Sequence, residues 1–269
     1  MPELAVLQER IAVLQRVVVA FSGGADSAFL AWVANDVLGP DRVVAVTAVS
    51  PSLAGDELDD CRELAGEWEL RWQTVVTDEV DDPAYAANDG LRCFHCKSAL
   101  MDAVAPLAAA AGATVVLGVN CDDLGDHRPG QQAAAERGAA FPMVEAGFTK
   151  ADVRDWSRRL GLRTWDKPAA ACLSSRVPYG TLVTVAVLGR VERAEAGLRR
   201  LGFGELRVRH YDDVARLEVP LDCLDLVLQR REAVVATVQD AGYRYVTLDL
   251  EGLRSGNLNQ ALPPAPPAR

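Results

Sequence analysis

Four groups of residues in this chain of 269 have the types and spacing to do chemistry. The first is Ser22-Gly23-Gly24-Ala25-Asp26-Ser27. It follows the β-branched run Val17, Val18, Val19 and precedes apolar residues at helical spacing, Ala28, Leu30, Ala31 and Val33. Strand, glycine-rich turn and helix make a phosphate cradle. The turn's N–H groups and the positive helix N-terminus point at one spot and favour an anion there. Glycines let the backbone approach without a Cβ. A tight turn in an ordinary α/β protein has the same local pattern. No lysine lies in the turn, so this is not the Walker loop.

The second group is the cysteines. Cys93-x-x-Cys96 has a spacing common to metal and redox sites. No second pair completes a four-cysteine zinc site, and the strand-to-helix setting of a thioredoxin dithiol is not evident. With Cys172 the pair makes three thiolates, enough for a [4Fe–4S] cluster with one iron open to an external ligand. Incidental or buried cysteines are the plain alternative. Cys172 stands beside Ser174, Ser175 and Arg176. A guanidinium that near favours the nucleophilic thiolate, although a free cysteine also serves as a small apolar filler. Cys61, Cys121 and Cys223 are assigned to packing.

The third group runs from Asn120 to Gly130: Asn-Cys-Asp-Asp-Leu-Gly-Asp-His-Arg-Pro-Gly. It follows the apolar run 114–119. Its acids and Arg128 therefore stand at a strand's C-terminal end, where a nucleotide site recruits metal-binding carboxylates and a phosphate-binding arginine. A solvated surface turn fits the same residues. The fourth group is Arg207 and Arg209, which alternate on a predicted strand and share one face. Paired arginines suit phosphate, and they also suit a solvated sheet face. Glu195 and Arg176 are further candidates for substrate contacts.

The elements that must position these groups follow from periodicity. A helix over 3–15, strands at 17–19, 43–49, 72–76 and 114–119, and helices over 55–69 and 98–111 alternate in the doubly wound pattern. In such a sheet, ligands sit outside the strand C-termini. Residues 77–97 read as a long loop or a loop with a short helix, uncommon at this length unless functional. Thr149-x-x-Asp152 is a capping box for a helix ending near Gly161. The nucleotide-binding domain is expected over 1–163, an interdomain connector carrying Cys172 over 164–182, and a smaller α+β domain over 183–258. A disordered, proline-rich tail is expected over 259–269.

Composition narrows the function classes. Lys plus Arg is 28 against 38 Asp plus Glu, a net charge of −10, unsuited to broad nucleic-acid binding. No apolar run approaches the ~20 residues of a membrane span, and no signal peptide is evident. A cytoplasmic protein with reduced cysteines is expected.

The turn at Ser22–Ser27 resembles the PP-loop of ATP pyrophosphatases, which cleave ATP between its α and β phosphates. Three more stretches join it: Asp122-Asp123-x-x-Asp126-His127-Arg128-Pro129-Gly130, Ala171-Cys172-Leu173-Ser174-Ser175-Arg176-Val177-Pro178-Tyr179-Gly180, and Tyr245–Gly252. Together they look like the LarE family, ATP-dependent sulfur transferases of nickel-pincer nucleotide biosynthesis. The segment around Cys172 discriminates this family from the rest of the superfamily. The resemblance implies a PP-loop parallel sheet with helices on both faces, ATP with Mg²⁺, and a homo-oligomer. It implies nucleotide contacts from Ala20, Ser22, Gly23, Gly24, Asp26, Ser27, Gly118, Asp123 and Arg128. It places Cys172, Arg176 and Asp26 in catalysis, and Ser175, Arg176, Glu195, Arg207 and Arg209 at a pyridinium-3,5-dicarboxylate mononucleotide. Sulfur would come from a cluster on Cys93, Cys96 and Cys172, the favoured version, or sacrificially from Cys172. A tRNA thiolation enzyme is the first competing reading, opposed by the acidic balance. An ammonia-using PP-loop amidotransferase, which needs no reactive cysteine, and a non-catalytic nucleotide-binding scaffold are the others.

Overall fold

The computed structural model describes residues 2–124, 129–168, 171–254 and 257. Among them the first part of the chain runs α1 (Leu4–Leu14), β1 (Val17–Ala20), α2 (Ala25–Leu38), β2 (Val43–Val49), α3 (Gly55–Glu67) and β3 (Trp72–Val76). Next come α4 (Pro83–Ala86), α5 (Arg92–Ala111), β4 (Thr114–Leu117), α6 (Pro129–Glu136), α7 (Pro142–Glu145) and α8 (Lys150–Arg159). The last part runs α9 (Val185–Arg200), β5 (Arg207–Tyr211), β6 (Val214–Glu218), α10 (Leu224–Gln229), α11 (Arg231–Asp240) and β7 (Tyr245–Leu248). Two compact units result: residues 1–79 with 93–170, and residues 80–92 with 171–269.

In the first unit four described strands pair in parallel in the order β3-β2-β1-β4. Successive side chains of β1 point to opposite faces, and the two cores follow from that. Val17 and Val19 face α1, α2, Cys61 and Leu64 of α3, and Met143, Phe148 and Val153. Val18 faces Leu100, Met101, Val104 and Ala108 of α5 and Ala134 of α6. A sheet covered on both faces needs strands apolar on both sides, which explains the unbroken valine runs. This is the expected α/β architecture.

The span 77–97 contains a short helix, α4, after a 3₁₀ turn at Glu79–Asp81; what differs from expectation is the next helix, α5, which begins at Arg92 and not near residue 98. Cys93 and Cys96 therefore stand in the first turns of a helix, three residues apart on one side.

In the second unit β5 and β6 are antiparallel and β6 and β7 parallel. Ala194 and Leu198 of α9 and Val234 and Val238 of α11 cover one face, against Val208, Ala215 and Leu217. Residues 221–240 form a 3₁₀ turn (Leu221–Cys223), α10 and α11, not one continuous helix. The tail from residue 258 lies outside the described residues. Among the described residues no helix is long and apolar enough to cross a membrane.

His210 on β5 is buried on the core side, its Nδ1 3.2 Å from the Tyr243 hydroxyl. Burial pulls its pKa below the ordinary 6.5, and Arg190 adds to this against Asp212. The unfolded chain therefore takes up this proton first as pH falls. Stability contributed by neutral His210 is complete above pH 6.5 and lost as pH drops through the lower folded value. A melting-temperature series from pH 7.5 down to 5 should decline in the wild type and flatten in His210→Gln. Identical slopes would show that another group carries the dependence.

Candidate functional site

The first unit supplies a cradle. β1 ends at Ala20, and the chain turns through Ser22 and Gly23, the latter at φ +67°. Gly24 is the N-cap of α2, with extended backbone and no side-chain cap. The helix's first N–H groups are thus left for an anion. Ser27 Oγ braces the turn. It accepts from Ser22 N at 3.1 Å, lies 3.0 Å from Ser22 Oγ, and donates to Gly24 O at 3.2 Å. Behind Gly23, an added Cβ would fall 2.9 Å from Cys61 Sγ.

The end of β4 closes on the same helix start. A Cβ at Gly118 would lie 2.7 Å from Ser27 N and 2.9 Å from Asp26 C and Ser27 Cα, all backbone. Gly118 is glycine because β4 and α2 touch there. Gly118→Ala should cost about 1–3 kcal/mol by overpacking and weaken ATP binding roughly tenfold, measured by calorimetry. Unchanged affinity in a stable variant would remove Gly118 from the nucleotide site.

Asp26 is held from two sides, with Oδ2 2.6 Å from Lys150 Nζ and Oδ1 accepting from Asn120 Nδ2 at 3.2 Å. Asp123 Oδ2 accepts from Asn120 N at 3.0 Å. Asp122 Oδ2 accepts from Lys150 N at 2.8 Å. The Thr149–Asp152 capping box forms as expected and brings Lys150 into place. Asp126, His127 and Arg128 lie outside the described residues.

The sequence reading does not single out Lys167, yet its Nζ donates to Gly23 O (3.2 Å), Glu57 Oε2 (2.8 Å) and Asp60 Oδ2 (2.5 Å). It ties the turn to α3. Burial depresses the ammonium, but Asp60 and Glu57 outweigh that and hold its pKa above 10.5. Asp60 is pushed up by burial and brought below 3.8 by Lys167 and Arg163. Lys167→Met should cost about 2 kcal/mol in urea unfolding. The Asp60 contribution is present above pH 3.8 and lost as pH falls through its lower folded value. The deficit of the variant should therefore shrink in strong acid, and a deficit that persists there would contradict the pairing. The only sequence signal was a lone lysine before Pro168.

The second unit holds the Cys172 segment. Cys172 is half-buried and precedes a 3₁₀ turn, Leu173–Arg176. Arg176 Nη1 donates to the carbonyls of Ala171 (2.6 Å) and Cys172 (3.2 Å) and to Ser175 Oγ (3.0 Å). Its Nε and Nη2 make a bidentate pair with Glu195, at 2.9 and 3.1 Å. Glu195 is fully buried and also accepts from Val208 N (3.0 Å) and Arg199 Nη2 (3.1 Å). Its lone pairs are all used by the protein. Arg209 Nη1 donates to Ser175 O and Nη2 to Glu218, both at 2.8 Å. Glu218 also takes Arg216 and Asn257.

Arg207 and Arg209 do share a face, opposite Glu218 and Arg216 in the ladder. Arg207 has no ion-pair partner among the described residues and donates to Arg254 O at 3.3 Å. Burial lowers its pKa, and the Arg209 and Arg176 cations lower it further, against Glu218 and Glu195. Clustered guanidiniums of this kind favour an anion.

A segment about ninety residues upstream fixes this loop. Asn88, fully buried at φ +55°, donates from Nδ2 to the carbonyls of Val177, Pro178 and Thr181. Arg92 Nη1 donates to Ser174 O at 2.9 Å, and the Tyr85 hydroxyl lies 2.6 Å from Ser174 Oγ. Sequence periodicity could not have found these long-range bonds.

Among the cysteines, Cys93 is exposed and Cys96 half-buried on α5. Among the described residues no group of three or more His, Cys, Asp or Glu side chains is placed to hold a metal ion. Cys61 is buried, and burial raises its thiol to about 11. Burial also raises Cys121 and Cys223.

Comparison with known proteins adds the following. The NAD synthase family model matches residues 5–93. The chain is 49% identical over 252 residues to an uncharacterized protein of Synechocystis sp., covering 93% of this chain and 94% of the other. It is 41% identical over 250 residues to the pyridinium-3,5-bisthiocarboxylic acid mononucleotide synthase of Lactiplantibacillus plantarum, covering 93% and 91%. An uncharacterized protein of Methanocaldococcus jannaschii is 24% identical over 242 residues, covering 90% and 92%. The 41% likeness runs through both units, and the chain belongs to the family of that synthase, the PP-loop LarE family.

Proposed function

We propose that this chain uses ATP to activate a carboxylate of a pyridinium dicarboxylate mononucleotide and converts it to the thiocarboxylate. The reading is supported above all by the 41% identity to the Lactiplantibacillus plantarum synthase across both units. ATP use follows from the PP-loop family. A carboxylate is a poor acyl donor. Its oxygen attacks the α-phosphorus, pyrophosphate leaves, and the acyl-adenylate carries AMP as a good leaving group. Sulfur then displaces AMP. In the sacrificial route the Cys172 thiolate forms a thioester, and loss of its Cα proton breaks the Cβ–S bond to leave thiocarboxylate and dehydroalanine, whereas in the cluster route a cluster-bound sulfide attacks and leaves with the product.

The residues divide the work. Ser22, Gly23, Gly24 and Ser27 hold the phosphates, with Ala20, Gly118, Asp123 and Arg128 around the nucleotide. Asp26 is proposed to hold Mg²⁺, which stabilises charge on the departing pyrophosphate. Lys150 keeps that carboxylate in place. Arg207, with Arg209 and Arg176 beside it, takes the mononucleotide phosphate. Ser175 lies next to that phosphate, and Glu195 positions Arg176. Cys172 either gives up its own sulfur as the sacrificial donor or is the third ligand, with Cys93 and Cys96, of a cluster that holds the transferred sulfide. A cluster would permit repeated turnover by passing on a bound sulfide. A homo-oligomer in the cytoplasm completes the proposal.

Incubating the anaerobically purified protein with ATP and the dicarboxylate mononucleotide tests it. Expected are AMP, pyrophosphate and thiocarboxylate. Bound iron and sulfide with an unchanged protein mass mark the cluster route. Loss of the elements of H₂S from the chain marks the sacrificial route. AMP without any sulfur-containing product, or a gel shift with tRNA and thiolated tRNA as product, would overturn the reading.

A further inference from the structure

A second polar group lies in the first unit, away from the cradle residues, at the carboxyl ends of β2 and β3. Ser50 directly follows β2, and Glu79 lies three residues beyond β3. Both serine hydroxyls donate to one carboxylate oxygen: Ser50 Oγ to Glu79 Oε1 at 2.6 Å, and Ser52 Oγ to the same atom at 2.9 Å. Ser50 Oγ in turn accepts from Ser52 N at 3.2 Å. Glu79 is only 4% exposed. Its other oxygen, Oε2, is buried and has no hydrogen-bond partner among the described residues. Such an atom is costly in either protonation state, since the carboxylate lacks a donor and the acid's O–H lacks an acceptor.

The position of this group points to a use. β2 pairs with β1, and Ala20 at the end of β1 is level with Val46. Ser50 therefore stands past the same carboxyl edge of the sheet as Ser22, at the end of the neighbouring strand and about two residues further along. Ligands of open parallel sheets lie along this edge. A nucleotide with its phosphates in the cradle extends its nucleoside along the edge, towards β2 or towards β4. On the β4 side, Asn120 and Asp123 are engaged with each other, and Asn120 also with Asp26. On the β2 side stands an acceptor with no partner among the described residues.

We infer that Glu79, oriented by Ser50 and Ser52, is a nucleoside-recognition residue. Its Oε2 accepts a hydrogen bond from an N–H or O–H donor on the nucleoside half of ATP, the base amine or a ribose hydroxyl. This rests on the nucleotide reading above and adds to it the residue that selects the nucleoside. If the donor is the amine, the site also discriminates against guanine, which presents a carbonyl oxygen in its place.

Glu79→Gln keeps the shape and the two serine bonds but turns the orphaned acceptor into an amide donor. Calorimetry with non-reacting protein should show ATP bound about tenfold or more weakly by the variant, the worth of one charge-assisted bond. Inosine triphosphate lacks the amine, and 2′-deoxy- and 3′-deoxy-ATP each lack one hydroxyl. The wild type should lose a similar factor with the one analogue that lacks the contacted donor, and the variant should lose nothing further with it. This analogue series on the wild type needs no variant to fold. Binding of ATP by Glu79→Gln within twofold of wild type would overturn the assignment, as would equal wild-type affinity for ATP and every analogue. A wild-type chain that binds no ATP would remove the nucleotide reading and this inference together.

Discussion

Cys172→Ser is expected to reduce thiocarboxylate formation to background while substrate-dependent pyrophosphate release survives. Serine is nearly isosteric, and the cysteine side chain makes no capping bond at the turn it precedes. The bonds that hold the segment use its backbone: Ser175 N donates to Cys172 O at 2.9 Å, and Arg176 reaches the same carbonyl. The fold should therefore be unchanged, and circular dichroism melting checks that. Adenylation asks nothing of the thiol, whereas the second step needs sulfur as nucleophile and as the atom delivered. The two steps should separate cleanly in an assay that follows pyrophosphate and thiocarboxylate independently. Full product from Cys172→Ser would exclude this cysteine as the sulfur carrier and favour a free co-substrate, as in the ammonia-using enzymes.

Glu195→Ala should destabilise the protein by about 3–5 kcal/mol, because it leaves the buried Arg176 cation without its anion. Arg176 is almost entirely buried, and its Nε and Nη2 both end on Glu195. Arg199 and the Val208 N–H lose their acceptor as well. Freed from Glu195, Arg176 loses its anchor while still bonded to the carbonyls at 171 and 172. Damage should thus reach the Cys172 segment, lowering sulfur transfer more than adenylation. Glu195→Gln keeps an acceptor for Val208 and gives up the charge, so it should fall between wild type and alanine. Urea unfolding measures both, and a loss below about 1 kcal/mol for alanine would mean that the pair contributes no more than an exposed ion pair.

Much of the nucleotide half was readable from the chain. Ser22–Ser27 between a valine run and an apolar helix specifies a strand, a turn and a helix through bonds that are local in sequence. The Thr149–Asp152 capping box was legible for the same reason, and so was the shared face of Arg207 and Arg209. The start of α5 was not. Residues 92–97 carry no capping signal and contain Phe94, His95 and two cysteines, a composition that reads as loop. Packing on the sheet through Leu100, Met101 and Val104 holds the helix whose first turns they form.

By itself, then, the sequence determined the α/β class, the glycine-rich turn between β1 and α2 and the family, because these depend on neighbours a few residues apart and on motifs that survive as strings. Only the tertiary structure decided which charges meet. Lys167 reaches across more than a hundred residues to Gly23 and Asp60, Asn88 and Arg92 reach more than eighty to the Cys172 turn, and Glu79 is left with one buried oxygen unanswered. Burial strengthens such pairings by excluding water, and burial is a property of the folded chain that no local pattern records.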